Sequence, residues 1–162
     1  MANYLGYGCR RRDILSTIED LYLRLRRSWN TDTAHKSCYG SARRESSIGQ
    51  CYVSAMAVAH ALDNVGINAT IARGAVYSQD ELLMADHGWV EFFFDCEQWI
   101  CDLTLDQAEG IAPILMMPMH SVKIDFRAID YRSLAEVTNI DVLSRFWILS
   151  SRVFAYEVVS NA

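Results

Sequence analysis

The order of apolar periodicities along this 162-residue chain predicts an α+β fold. Three observations carry that expectation. Helical spacing of apolar residues dominates the first third, β-branched and aromatic residues bounded by turn residues fill the middle, and helical spacing returns only after residue 133. The length suits one domain, read as an N-terminal helix and polar loop (1–50), a core (51–107) and a C-terminal part (108–162) that completes the sheet and adds a helix.

In chain order, Ile14, Ile18, Leu21, Leu25 and Trp29 recur three and four residues apart, so residues 10–29 form an amphipathic helix. Residues 30–50 turn polar and rich in Ser, Gly and Thr, the composition of a long loop of the kind that often carries function. Residues 51–65, rich in alanine and closed by Gly66 as a C′ glycine, read as a buried helix. Residues 68–77, 86–95 and 97–104 read as strands, the last two joined by a short turn into a hairpin. Residues 111–120 hold both prolines of the chain, which excludes a regular helix interior and predicts an apolar surface or rim loop. A strand over 121–128, a helix over 133–151 and a closing strand over 152–159 complete the expectation.

Hydrophobic residues make up 51% and charged ones 22%, which excludes disordered, collagenous and coiled-coil classes. No apolar run approaches the ~18–20 residues that cross a bilayer, so no membrane partner is expected. Residues 1–12 lack the order of a secretory signal, which makes a cytoplasmic location the expectation, with export by a non-cleaved route left open. The net charge of −5 is uneven: residues 1–45 carry nine Lys/Arg against five Asp/Glu, the remainder six against fifteen. Because Arg24, Arg26 and Arg27 share a helix with an apolar stripe, the basic excess reads as a solvated face, with no nucleic-acid partner. The basic arm is expected to act as a lid or docking element on an acidic body. Five cysteines, an odd number without paired CxxC spacings, read as free thiols; no metal and no organic cofactor is implied.

One of those thiols is set apart. Cys51 follows Gly49-Gln50 at a helix start, where unpaired N–H groups and the helix dipole favour a thiolate nucleophile and where the Cys51 N–H can donate to an oxyanion. Its base has to come from elsewhere, since His60 lies about 180° around the same helix and roughly 13 Å along it. His35 in the polar loop and His120 in the proline segment read as exposed or otherwise satisfied, leaving His87. In a hairpin turning near Asp95, His87 stands opposite Asp102 or diagonal to it on one face, so Asp102 can orient the imidazole as the third member of a triad does. Glu91 shares that phase but reads as solvated; Asp86, adjacent to His87, points to the other face. Gln50 and Trp89 are weaker candidates for a second oxyanion or substrate-binding donor.

Cys51 at a helix start, His87 in the run HGWVEFFF and Asp102 in WICDLT together resemble the transglutaminase-like branch of the papain-like cysteine enzymes. A closer resemblance is to the bacterial YunG-like family: Gly49-Gln50-Cys51, His87-Gly88-Trp89 and Asp102-Leu103-Thr104-Leu105-Asp106-Gln107 match its GQC, histidine-strand and DLT-x-x-Q motifs. Ser28, Trp29 and Thr33 match its upstream Ser-Trp-x-x-x-Thr segment. The resemblance implies a papain-like/transglutaminase-like fold and acyl-enzyme chemistry on an amide bond of a peptide or protein substrate, as protease, amidase or acyl transferase. Two alternatives remain beside it: a glutamine deamidase effector docking through the Pro/Met segment 111–120, and an inactive binding or immunity protein with the same fold.

Overall fold

In the computed structural model, which describes residues 4–154 and the side chains of 11–154, the stripe Ile14, Ile18, Leu21, Leu25 and Trp29 is buried along helix α1 (Tyr4–Ser28). Trp29 is fully enclosed, and its indole N–H donates to Ser54 Oγ at 3.0 Å. This corrects the expectation of a lid: lifting α1 would expose side chains whose burial is worth about 1.5–3 kcal/mol each. Helix α2 (Cys51–Asn64) stops where expected, with Gly66 at φ +78° providing the left-handed residue after its C-cap. Its middle is buried nearly all round, because alanines at 55, 57, 59 and 61 allow neighbouring elements to approach closely.

Five strands form one sheet: β1 (Ala69–Ser78), β2 (Glu81–Phe94), β3 (Glu97–Asp102), β4 (Ile114–Pro118) and β5 (Asp125–Arg132). Their order is β4-β3-β2-β1-β5, and every pairing is antiparallel. The two tight turns, Gln79-Asp80 and Asp95-Cys96, have positive φ at both positions, the backbone that matches the twist of a two-residue hairpin. The first of these turns extends β2 back to Glu81, so residues 77–85 are a hairpin arm. Alternation divides the sheet between two cores. Val90, Phe92, Phe94, Trp99 and Cys101 pack with the helices, whereas Ala72, Val76, Trp89 and Ile100 pack with Leu105 and Ile114 in a second cluster.

The C-terminal third departs from the sequence expectation in four places. The Pro/Met segment is not a rim loop: it forms edge strand β4 and a 3₁₀ turn, Met119–Ser121. Edge position explains the tolerance, since Pro113 precedes the strand and Pro118 closes it. Met116 is half-buried against the helix-side core and Met117 and Met119 against the second cluster, so the methionines cover core. The helix expected over 133–151 is split into a 3₁₀ turn, Leu134–Glu136, and helix α3 (Ile140–Val153). Two separate N-terminal caps define the pieces: Glu136 accepts from the Ser133 N–H at 2.7 Å in a capping box that starts the 3₁₀ turn, and Asn139 Oδ1 starts α3 by accepting the Val142 N–H at 3.1 Å. Arg152 and Val153 belong to α3 and not to a closing strand, while the part of that expected strand from residue 155 onward lies outside the described residues. The strand expected over 121–128 is shifted, forming β5 at Asp125–Arg132. No described helix is long and apolar enough to cross a membrane.

If α1 is core, Leu25→Ala lowers the unfolding free energy by about 2–5 kcal/mol in urea titrations, whereas Arg27→Ala on its exposed face changes it by less than about 0.5 kcal/mol. Equal and small effects at both positions would restore the lid.

Candidate active site

The β2–β3 register aligns Val90 with Cys101 and Glu91 with Ile100, which sets His87 and Asp102 diagonally on one face, the second of the two arrangements the sequence allows. His87 Nε2 lies 2.7 Å from Asp102 Oδ2, with both side chains 1% exposed. The other carboxylate oxygen, Oδ1, accepts the Thr104 backbone N–H at 3.0 Å and the Thr104 hydroxyl at 3.2 Å. The Asp-Leu-Thr turn that ends β3 therefore fixes the carboxylate that fixes the imidazole. Burial opposes the charge on His87, but the charge and hydrogen bond of Asp102, with a smaller contribution from Cys51, outweigh it and push the imidazole up to about 10.

Cys51 begins α2 beside this pair, close enough to contribute to the raised value of the His87 ring. With Nε2 committed to Asp102, Nδ1 is the nitrogen left for the thiol. Two glycines permit the approach. A Cβ on Gly88 would stand 3.0 Å from Tyr52 Cδ2 and 3.4 Å from Tyr52 Cα, so the first turn of α2 rests directly on the strand that carries His87. Gly49 has φ +75°, and a Cβ there would meet Cys38 Cβ at 2.8 Å and His35 N at 3.1 Å. Its N–H donates to Gln107 Oε1 at 3.1 Å, and Gln107 Nε2 donates to the Thr104 carbonyl at 3.2 Å. One carboxamide thus ties the turn before Cys51 to the turn after Asp102. Gln50, the N-cap, makes no side-chain cap hydrogen bond, so the first N–H groups of α2 have no intrahelical partner and no cap from it.

Cys51 and His87 line one cleft of about 360 Å³. The polar loop supplies a wall of His35, Ser37 and Cys38; it is ordered by backbone bonds such as His35 N–H to Gly49 O at 2.9 Å. A second wall carries two ion pairs. Arg73 grips Asp86 with contacts of 2.6 and 2.7 Å, which holds the Asp86 carboxyl below its ordinary range, and Arg132 bonds Asp130 at 2.7 Å. Arg145, from α3, completes the lining with Val142.

The remaining candidates fall into place around this centre. Gln50 is fully buried and its Nε2 donates to Asn30 O at 2.9 Å, which makes it a clamp on the polar loop. The Trp89 indole N–H donates to Glu91 Oε1 at 2.9 Å, and its ring stacks at 6.4 Å from that of His87. Neither Gln50 nor Trp89 lines the cleft, so the expected second donors are engaged elsewhere. Glu91 is buried, not solvated, because it also accepts from Gln98 at 2.8 Å. His60 contacts Asn64 and Phe154, His120 pairs with Glu97, and His35 alone of the other histidines reaches the cleft. Cys101 is fully buried, and burial pushes its thiol well above the ordinary value. Among the described residues no group of three or more His, Cys, Asp and Glu is placed to hold a metal ion.

Sequence reasoning missed the Gln107 bridge, the Gly88 contact and Arg145. Gln107 and Gly88 lie within the motif segments DLT-x-x-Q and HGW, which do not say what they touch, and Arg145 is a charge on the apolar stripe Val142, Phe146 and Leu149 of α3. No family model, curated protein or solved structure matches the chain.

The raised imidazole has a definite sign: its contribution to stability is complete below the ordinary value of about 6.5 and is lost as pH rises through about 10. The stability difference between the unsubstituted protein and Asp102→Asn therefore shrinks across that window in pH-dependent urea unfolding, and the His87 ring signals titrate near its upper end by NMR. A ring titrating near pH 6.5 would contradict the buried pair.

Proposed function

We propose that the protein is a cysteine-nucleophile acyl enzyme of the papain-like/transglutaminase-like kind, acting on an amide bond of a peptide or protein. The observation that carries this reading is the convergence, in one cleft, of a helix-start thiol with an imidazole oriented by a buried carboxylate. A YunG-like assignment is part of the same proposal. It is supported by the way the GQC, HGW and DLT-x-x-Q residues meet: Gln107 bonds Gly49, Thr104 bonds Asp102, and Gly88 receives Tyr52.

In the reaction, with the Cys51 proton held on His87, the sulfur attacks the amide carbonyl to form a tetrahedral oxyanion. The N–H groups of Cys51 and Tyr52, at the uncapped start of α2, are the donors best placed for that oxyanion. The carbon–nitrogen bond breaks, the departing amine takes the proton from His87, and Cys51 is left as a thioester. Water or an amine then attacks the thioester with His87 as base, releasing acid or new amide and restoring the thiol. Asp102 holds the ring so that Nδ1 faces sulfur in both halves, and stabilises its cationic form. The cleft volume, near the lower end of the ~300–1,000 Å³ usual for ligand sites, suits a side chain or a short peptide segment.

Iodoacetamide labelling followed by peptide mass spectrometry tests the nucleophile. Cys51 is expected to react ahead of Cys38, Cys96 and Cys101, and folded His87→Ala to lower its rate by about tenfold or more. An inert Cys51, or a rate indifferent to His87, would remove the proposal. Incubation with a peptide library should leave a hydroxylamine-sensitive adduct on Cys51, and Asp102→Asn should slow its formation by orders of magnitude while the protein remains folded.

A further inference from the structure

Arg145 is a cation that the fold encloses without using its hydrogen-bonding capacity. It is 5% exposed, it lies on the core-facing stripe of α3, and it lines the same cleft as Cys51. A guanidinium has five N–H donors. Among the described residues, the hydrogen bonding of Arg145 is confined to Nη1, with a long bond to Thr33 O at 3.4 Å. Its Nε is buried without a hydrogen bond, although Asp141 Oδ2 stands 3.3 Å away. That carboxylate is shared, since Asp141 Oδ1 also takes Lys36 Nζ at 3.0 Å.

The charges around the cleft do not balance. Arg73 is matched by Asp86, Arg132 by Asp130 and His87 by Asp102, but Arg145 and Lys36 divide the single carboxylate of Asp141. One carboxylate cannot match both cations in full, and of the two it is Arg145, buried in the cleft wall, that has donors to spare. Burying a guanidinium is costly unless its donors are paired, so an underused one in a cleft wall marks a place where a ligand supplies the partner. The planar fork of arginine fits the two oxygens of a carboxylate.

We infer that Arg145 is a specificity-determining residue, receiving a carboxylate carried by the substrate close to the amide that Cys51 attacks. The inference rests on the acyl-enzyme reading and adds to it the substrate class, an acidic peptide or one presenting a free C-terminus.

The test compares alkylation of Cys51 by iodoacetate, which carries a carboxylate, and by iodoacetamide, its neutral counterpart. Arg145→Gln is expected to lower the iodoacetate-to-iodoacetamide rate ratio about tenfold, the loss that follows from one charge-assisted contact. A folded variant with an unchanged ratio overturns the carboxylate site and leaves the acyl enzyme standing; a Cys51 inert to iodoacetamide overturns both. Protection of the unsubstituted protein against iodoacetamide decides the matter without any variant. Acetyl-Gly-Asp-amide and acetyl-Gly-Gly with a free C-terminus present a side-chain and a main-chain carboxylate, and acetyl-Gly-Asn-amide presents none. Protection by either of the first two over the third supports the site and identifies the source of the carboxylate. Equal protection by all three, or none, overturns it.

Discussion

A 2.7 Å hydrogen bond between two side chains shut off from solvent, His87 and Asp102, sets the demands that the rest of the structure meets. Withdrawing an imidazole and a carboxylate from water costs several kcal/mol per ion unless their remaining polar atoms are satisfied. The chain satisfies them locally. Thr104 gives Asp102 Oδ1 two donors, and Cys51 stands beside the imidazole in the same cleft. These requirements explain why β3 ends at Asp102 with the turn that brings Thr104 back, and why a one-residue slip of β2 against β3 would be expensive: it would send His87 to the helix-side core.

The nucleophile is attached to this pair by backbone proximity and one carboxamide. Gly88 lets α2 settle on the histidine strand, and Gln107 joins the Gly49 turn to the Thr104 turn across 58 residues of sequence. Such bracing holds reacting groups in place before substrate arrives, which is where much of an enzyme's advantage originates. The site carries costs for it. Gly49 sits in a conformation and a space that exclude side chains, and Gln50 Oε1 and Arg145 Nε are buried without hydrogen bonds. The contrast between the two cysteines nearest Asp102 follows from the same arrangement: Cys101 is buried in the helix-side core with its thiol pushed up, whereas Cys51 opens on the cleft beside the imidazole.

Where the sequence was legible, the signal was local. The apolar stripe of α1, the alanine-rich α2 with Gly66 behind it, and the hairpin around Asp95-Cys96 all follow from spacing and turn chemistry. Misreadings arose where tertiary position outweighed local rules. Two prolines argued against regular structure over 111–120, yet an edge strand needs pairing on one side only, so β4 forms between them. Glu91 reads from sequence as lying on the solvated side of its strand, but buried Trp89 and nearby Gln98 supply the donors that keep it inside. A continuous helical pattern over 133–151 concealed Asn139, whose cap restarts the helix.

By itself the sequence determined the α+β class, the helix start at Cys51 and the pairing of His87 with Asp102, because each depends on periodicity or turns within a few residues, or on one short hairpin. The tertiary structure decided which register the hairpin adopts, that α1 belongs to the core, that Gln107 braces Gly49, and that Arg145 of α3 shares the cleft with Cys51 while bonding Thr33 across 112 residues. Contacts of that span have no period along the chain. They exist only once packing has brought their elements together, and at this cleft packing left one buried cation with donors to spare.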